Sequence, residues 1–283
     1  MLKLPQASYE KHPMLDPLLI FELAALGLVT GYLAGLLGIG GGMVIGPFMT
    51  IIMSAQGVSA DLAVKMAIAT SMATIMFTSI SSVRAHHQRG AVRWNIVKGL
   101  APGIMVGGAI GSIGIFAIVK GTTLALLFAA FITFSATQMF LDKKPKAGRA
   151  MPGTAGLLGV GGVIGLVSGL VGAGGGFISV PFMVACNVAI INAVATSAAL
   201  GFPIALVNAV GYAISGQGLA GLPPGSLGYI WLPGLLVIAL CSVSTAPLGA
   251  KMAHTLPIAK LKRIFALVLY CLAAYMLWKG LHG

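Results

Sequence analysis

Apolar residues run along this chain in long blocks separated by short polar stretches, and blocks of this kind predict helices. Ten helices are predicted, at residues 18–38, 43–54, 62–83, 94–118, 122–141, 155–172, 177–188, 192–214, 230–250 and 262–280. Most of these blocks are about 20 residues long, the length at which a helix crosses the hydrocarbon core of a bilayer. The pattern therefore predicts an all-α polytopic membrane protein.

Two of the predicted helices, 43–54 and 177–188, are only twelve residues long. At about 1.5 Å per residue, each reaches roughly 18 Å, which is less than the thickness of the hydrocarbon core. Either they are tilted and extended by their flanks, which gives ten crossings, or they are re-entrant, which gives about eight.

Composition excludes the main alternatives to a membrane protein. Hydrophobic residues make up 58% of the 283 residues and charged residues only 8%, against about 25% charged residues in ordinary soluble domains. So few charges cannot cover the surface of a soluble enzyme of this length. A disordered chain would have few apolar residues and many charges. The 40 glycines are typical of closely packed transmembrane helices.

The second half of the chain repeats the first. Residues 27–49 and 161–183, aligned at an offset of 134, share twelve of twenty-three residues, including GLLGIGGG and GLVGAGGG, each followed by PFM. Farther along, AIATS at 67–71 matches AVATS at 193–197. A duplicated membrane protein with the same unusual segment in both copies is typical of secondary transporters.

Basic residues predict how the chain lies in the membrane. Twelve of the seventeen Lys and Arg form three clusters between apolar runs: Arg84, Arg89, Arg93 and Lys98; Lys143, Lys144, Lys146 and Arg149; Lys251, Lys260, Lys262 and Arg263. Basic loops stay on the cytoplasmic side. All three clusters share that side only if 177–188 crosses the membrane. We therefore expect five crossings in each half, inverted repeats and both termini outside, whereas re-entrant short segments would make the repeats parallel.

The same observations predict the domain boundaries. Residues 1–17 are expected outside the membrane, 18–141 and 154–283 as the two membrane repeats, and 142–153 as a basic cytoplasmic linker. The net charge of +12 does not indicate nucleic-acid binding, because the basic residues do not share a soluble face with polar and aromatic ones.

The clearest candidate for a binding site is a glycine triplet present in both repeats: Gly40, Gly41 and Gly42, then Gly174, Gly175 and Gly176. Glycines without side chains can interrupt a helix, and the helix that follows begins with free N–H groups and a positive dipole end. Such an end attracts anions. The alternative is that the triplets only permit a tight turn or close helix contact, as we expect for the other glycines that recur every four residues.

Hydroxyl groups in the third helix of each repeat are further candidates for the anion site: Thr70, Ser71, Thr196 and Ser197. They could bind substrate oxygens or bond to carbonyls of their own helices. Lys65 is a candidate countercharge for the anion, although Asp61 precedes it by one turn and the two would form an ion pair. Glu22, near the start of the first span, is the candidate for carrying a coupling proton. The alternative is that it only sits at the membrane interface. No catalytic set, metal-binding spacing or nucleotide loop is recognised, so we expect neither an enzyme nor a cofactor.

The glycine-rich segments carry a resemblance. Together with the ATS triplets, the HHQRG of residues 86–90 and the closing segment 246–265, they resemble the TauE/SafE family of sulfite exporters, over residues 18–280. The resemblance implies an inner-membrane permease for sulfur-containing anions such as sulfite, sulfoacetate or other organosulfonates, usually assigned to export. It transfers the glycine and ATS positions, but it does not transfer the substrate, Lys65 or Glu22.

We therefore expect a multi-pass secondary transporter of the bacterial inner membrane that exports a small sulfur-containing anion. The partners expected are that anion and the lipid bilayer, without nucleic acid or an ATPase subunit, and the oligomeric state is left open. The alternatives are an anion channel lined by the same glycines, or a membrane scaffold that transports nothing.

Overall fold

The computed structural model describes residues 16–38, 40–141, 148–255 and 259–283, except for the side chains of 259–261. Within them the chain forms ten helices: α1 (Pro17–Leu37), α2 (Gly42–Ala55), α3 (Ala60–His87), α4 (Trp94–Ile118), α5 (Gly121–Leu141), α6 (Thr154–Val171), α7 (Gly176–Ala185), α8 (Ile190–Ser215), α9 (Leu232–Ala253) and α10 (Ala259–His282). Two short paired strands, β1 (Ser226–Leu227) and β2 (Ile230–Trp231), precede α9. The predicted all-α polytopic fold is confirmed.

The helices fall into two classes by length. Of the helices in the described residues, eight are long and apolar enough to cross a membrane, as judged by length and composition. The other two, α2 with 14 residues and α7 with 10, reach only about 21 Å and 15 Å at 1.5 Å per residue. They are the two short helices that the sequence predicted.

Parts of three expectations fall outside the described residues. These parts are residues 1–15 of the expected N-terminal segment, residues 142–147 of the expected linker, and the basic side chains Lys143, Lys144, Lys146 and Lys260. The domain boundaries stay predictions.

The two repeats are interlocked. The first helix of each repeat packs along the fourth helix of the other, α1 on α9 and α6 on α4, and the fifth helices α5 and α10 pack on each other. At the centre α3 packs on α8. In the most apolar stretch of each spanning helix, 72% of residues are buried in α3 and 61% in α8, against 33–44% in the others. The core of the molecule is therefore shared between the repeats.

Glycines spaced by four residues make this interlocking close, as the sequence predicted. A Cβ atom added to Gly27 would lie 2.7 Å from the carbonyl oxygen of Ile238, and one added to Gly35 would collide with the backbone of Ala246. At the other contact, Gly161 and Gly165 lie in the same way against the backbone of α4. Small residues at such contacts allow two helix backbones to approach each other.

Both short helices begin after a backbone reversal that requires glycine. The C-terminal cap of α1 is Gly38 with φ +67°, and that of α6 is Gly172 with φ +65°. The N-terminal caps of α2 and α7 are Gly41 with φ +76° and Gly175 with φ +74°. Residues with a Cβ atom rarely adopt these angles. The glycine triplets therefore interrupt the helices, as expected.

Candidate functional site

The two interrupted segments meet at the centre of the molecule. A Cβ atom placed on Gly40 would lie 3.2 Å from the Cα atom of Gly174, and one on Gly42 would collide with the carbonyl oxygen of Gly172. The main chains of the two repeats thus touch at their glycine triplets. The first N–H groups of α2 and α7 have no partner within their own helices.

Ser71 and Ser197 bond across the contact between the repeats in matching ways. The Ser197 hydroxyl donates to the carbonyl oxygen of Gly38 at 3.0 Å and accepts from the Ser179 hydroxyl at 2.9 Å. The Ser71 hydroxyl lies 2.9 Å from the carbonyl oxygen of Ile68 and 3.4 Å from that of Gly172. Each serine therefore satisfies a carbonyl that the end of α1 or α6 leaves free.

Thr70 and Thr196 form a second matching pair of contacts. The backbone N–H of Trp231 donates to the Thr70 hydroxyl, and that of Arg93 donates to the Thr196 hydroxyl, both at 3.0 Å. Trp231 and Arg93 are the N-terminal caps of α9 and α4. Both threonines are buried. Each one, in the third helix of its repeat, bonds to the start of the fourth helix of the other repeat. In this arrangement their oxygens are already hydrogen-bonded to protein.

A small cavity lies beside the meeting point of the two segments. Its empty volume is about 230 Å³ when the part open to solvent is included, and its lining residues are Ala34, Gly38, Gly40, Thr78, Ser79, Ser82, Gly174, Ser197, Ala198 and Gly201. The cavity has room for about one water molecule. An anion as large as sulfite would need a wider space.

Three of the predicted site residues line this cavity, namely Gly40, Gly174 and Ser197. The other four glycines of the triplets do not line it. For example, a Cβ atom on Gly41 would lie 3.1 Å from the carbonyl oxygen of Thr30, and one on Gly175 would lie 2.5 Å from a methyl carbon of Ile204. Thr70, Ser71 and Thr196 bond nearby without lining it.

Three hydroxyls of α3, Thr78, Ser79 and Ser82, line the cavity and were missed from the sequence. The Thr78 hydroxyl lies 2.6 Å from that of Ser242, and Ser79 bonds to the carbonyl oxygen of Met76. The Ser82 hydroxyl is buried without a hydrogen-bond partner. A buried polar group is rarely left unpaired. Ser82 therefore has a free hydroxyl to offer to a polar ligand in the cavity.

Lys65 lies away from the cavity, where its ammonium group has partners. Its Nζ atom is 3.9 Å from an Asp61 carboxylate oxygen and 3.3 Å from the carbonyl oxygen of Ala117. It also lies 5.6 Å from the centre of the Tyr229 ring. Burial and the negative charge of Asp61 raise the pKa of Tyr229 above its usual value. Lys65 therefore forms the expected ion pair with Asp61, and its part in binding the anion stays a prediction.

Glu22 is exposed on the outer surface of α1, beside Phe21, which is also exposed. It does not line the cavity. Its expected part in carrying a coupling proton stays a prediction.

Comparison with known proteins identifies the family. Residues 23–276 match the model of the sulfite exporter TauE/SafE family. The chain belongs to the TauE/SafE family. A probable membrane transporter protein of Haemophilus influenzae is 36% identical to the chain over 255 residues, covering 90% of this chain and 96% of that protein.

Two less similar relatives span similar lengths. A probable membrane transporter protein of Methanocaldococcus jannaschii is 25% identical over 93% of this chain and 96% of its own length. The Bacillus subtilis probable membrane transporter protein YdhB is 26% identical over 87% of this chain and 93% of its own length. No solved structure matches the chain. Family and relatives together indicate a membrane transporter.

Proposed function

We propose that this protein is a secondary transporter that moves a small sulfur-containing oxyanion, such as sulfite, sulfoacetate or another organosulfonate, out of the cell. The observation that carries the proposal is the meeting of the glycine triplets, with Gly40 and Gly174 beside one hydroxyl-lined cavity. Unwound backbone and helix starts between two repeats are typical of transporter binding sites. The family description, sulfite exporter, supports the sulfur oxyanion as substrate.

The chemistry of the cavity favours an oxyanion over a cation. Apart from backbone atoms, its polar lining consists of the hydroxyls of Thr78, Ser79, Ser82 and Ser197. No carboxylate is among the described residues that line it. Hydroxyl groups and free backbone N–H groups donate hydrogen bonds to oxygen anions. Inside-negative membrane potential favours outward movement of an anion by about 2.3 kcal/mol per charge per 100 mV.

The mechanism that we propose is alternating access between inverted repeats, with the basic loops in the cytoplasm. Cross-repeat contacts support the inversion. Arg93, just beyond the end of α3, bonds to Thr196 near the start of α8, and Trp231, beyond the end of α8, bonds to Thr70 in α3. The end of each third helix thus lies toward the start of the other, which is the arrangement that inverted repeats require.

The small volume of the cavity favours a carrier over a channel. Space for about one water molecule is too narrow for continuous passage of sulfite. In a carrier, the anion occupies the centre while one repeat moves against the other.

Flux into proteoliposomes tests this function. The purified protein is reconstituted, and radiolabelled sulfite uptake is measured against uptake of labelled potassium, with protein-free liposomes as the control. Saturable sulfite flux without potassium flux supports the proposal. Conduction that does not saturate would identify a channel, whereas no flux of sulfite, sulfoacetate or taurine in correctly inserted protein would support the scaffold.

A further inference from the structure

Two histidines, His86 at the end of α3 and His254 just after α9, lie close together. His86 is completely buried, and its Nε2 atom lies 3.1 Å from the carbonyl oxygen of Gly35. Its Nδ1 atom lies 3.3 Å from Nε2 of His254. The cavity-lining residue Ser82 precedes His86 by one helical turn, and cavity-lining Ala34 is the neighbour of Gly35. His86 therefore lies one helical turn from the cavity lining, and His254 lies beyond it, on the exposed side.

The hydrogen bonds define where protons sit in the neutral pair. A carbonyl oxygen only accepts, so Nε2 of His86 carries a hydrogen and donates it to Gly35. Nδ1 of neutral His86 is then an acceptor, and Nε2 of His254 donates to it. This leaves Nδ1 of His254 as the acceptor that can take a proton from water, because His254 is exposed.

An added proton can pass from His254 to His86, and each hydrogen in the transfer is accounted for. Nδ1 of His254 takes a proton from water, and the hydrogen on its Nε2 passes to Nδ1 of His86. His254 is then neutral in its other tautomer, and His86 is an imidazolium one helical turn from Ser82. The charge arrives beside the cavity without either ring leaving its place.

The opposite end of the molecule has the same construction without a titratable imidazole. Tyr212 stands at the position of α8 that matches His86, at the offset of 126 that relates Thr70 to Thr196. Its hydroxyl donates to the carbonyl oxygen of Gly169 at 2.6 Å, and Gly169 matches Gly35 in the repeat. Its ring packs on Phe116 of α4, with the ring centres 4.4 Å apart.

His86 and Tyr212 thus match in three ways. Each ring belongs to a third helix, bonds to the first helix of its own repeat, and packs on a ring from the opposite repeat. The centres of the His86 and His254 rings are 5.4 Å apart. Only at the His86 end are both rings imidazoles, each of which can bind a second proton.

We propose that His86 and His254 form the proton-binding site that couples anion flux to a proton gradient. This inference rests on the proposed transport function and names its coupling ion. Around the pair, the positive charge of Arg89 acts on both rings and opposes their protonation, and Lys251 lies one turn before His254 with its side chain exposed. Neighbouring α1 contributes the Gly35 carbonyl. Binding of a proton here and of an anion in the cavity affect each other equally by linkage.

Glutamine variants test the site in proteoliposomes. His86→Gln and His254→Gln keep a hydrogen-bonding side chain but cannot bind a proton near neutral pH. Their matched control is His87→Gln, because His87 is the exposed neighbour that accepts from the Trp94 indole. The probe is radiolabelled sulfoacetate, which stays ionised near neutral pH, with the membrane potential held at zero by valinomycin and equal potassium.

With one proton coupled to each anion, a gradient of one pH unit should drive a sulfoacetate gradient of about tenfold in the wild type and in His87→Gln, because a pH unit corresponds to a tenfold proton activity. The sign of the gradient tells whether proton and anion move together or in exchange. His86→Gln and His254→Gln should build no gradient while still exchanging labelled for unlabelled sulfoacetate. A gradient kept within twofold by both variants would overturn the proton site and leave the transport function intact.

A second measurement tests the histidine pair if transport or folding fails in the first. If the wild type moves no sulfoacetate, sulfoacetate is not its substrate, and the histidine pair is tested alone by nitrogen-15 NMR titration of labelled histidine in micelles. His254 should titrate in two coupled steps in the wild type and in one step in His86→Gln. A His254 titration curve that His86→Gln leaves unchanged would overturn the pair.

Discussion

The contact between the glycine triplets predicts the effect of a single methyl group. Gly40→Ala places a Cβ atom 3.1 Å from Cγ2 of Ile75 and 3.2 Å from the Cα atom of Gly174, closer than ordinary van der Waals contact. It also places alanine at φ +76°, which costs about 1–2 kcal/mol. Crowding in a packed interior adds about 1–3 kcal/mol, and the methyl group takes up part of the cavity.

Gly57→Ala separates these two contributions. Gly57 has φ +78° and no atom within 4 Å of an added Cβ atom, so this variant has the backbone cost without the crowding. We expect the positive φ angle to lower the free energy of unfolding by a similar amount in both variants. The additional 1–3 kcal/mol at Gly40, acting on the transport cycle, corresponds to a decrease in flux of about 5- to 150-fold.

The assay is the initial rate of sulfite flux in proteoliposomes, normalised to inserted protein, with the melting temperature in detergent measured in parallel. Gly57→Ala should keep flux within about twofold of the wild type, while Gly40→Ala loses it and remains folded. Equal flux in the two variants would show that the contact at Gly174 plays no part in transport.

Three further variants test the cavity, the helix contacts and the histidine pair. Ser82→Ala should leave the protein as stable or slightly more stable, because it removes an unpaired hydroxyl, but should raise the half-saturating sulfite concentration at least tenfold, since a hydrogen bond to a charged group contributes about 1.5–3 kcal/mol. Gly35→Ala should lower the melting temperature, because its methyl group would collide with the backbone of α9 at a cost of about 1–3 kcal/mol. Burial and the positive charge of Arg89 lower the pKa of His254, so Arg89→Gln should raise that pKa and move the pH profile of flux to higher pH.

Each of these variants has a matched control. Ser135→Ala removes another buried, unpaired hydroxyl outside the cavity and should leave sulfite affinity unchanged. Gly159→Ala places a methyl group in open space on α6 and should not destabilise. His87→Gln should leave the pH profile in place. A control that behaves like its partner would contradict the corresponding assignment.

Hydropathy predicted the helices closely because a bilayer imposes long apolar runs. The predicted helix 94–118 is observed at Trp94–Ile118, and the short helices begin one residue before their predicted starts. The largest difference at a helix end is in α3, which was predicted to end at residue 83 and ends at His87. Polar residues end an apolar run, but they do not end a helix.

The site was predicted less completely, because a sequence does not show how its two halves fit together. Duplication indicated Gly40, Gly174 and Ser197, which line the cavity. The same argument gave Thr70 and Thr196, whose oxygens accept from the backbone of the opposite repeat. Ser82 and its neighbours were missed because a hydroxyl in a helix usually bonds to its own carbonyls, and only the packed structure shows which one remains unpaired.

The pairing of α1 with α9 and of α4 with α6 has a consequence for biosynthesis. When the ribosome has inserted the first five helices, the glycine face of α1 still faces lipid, since its partner is synthesised almost two hundred residues later. The first repeat made alone should therefore be a substrate for membrane proteases. Coexpression of the two halves as separate chains should rescue both.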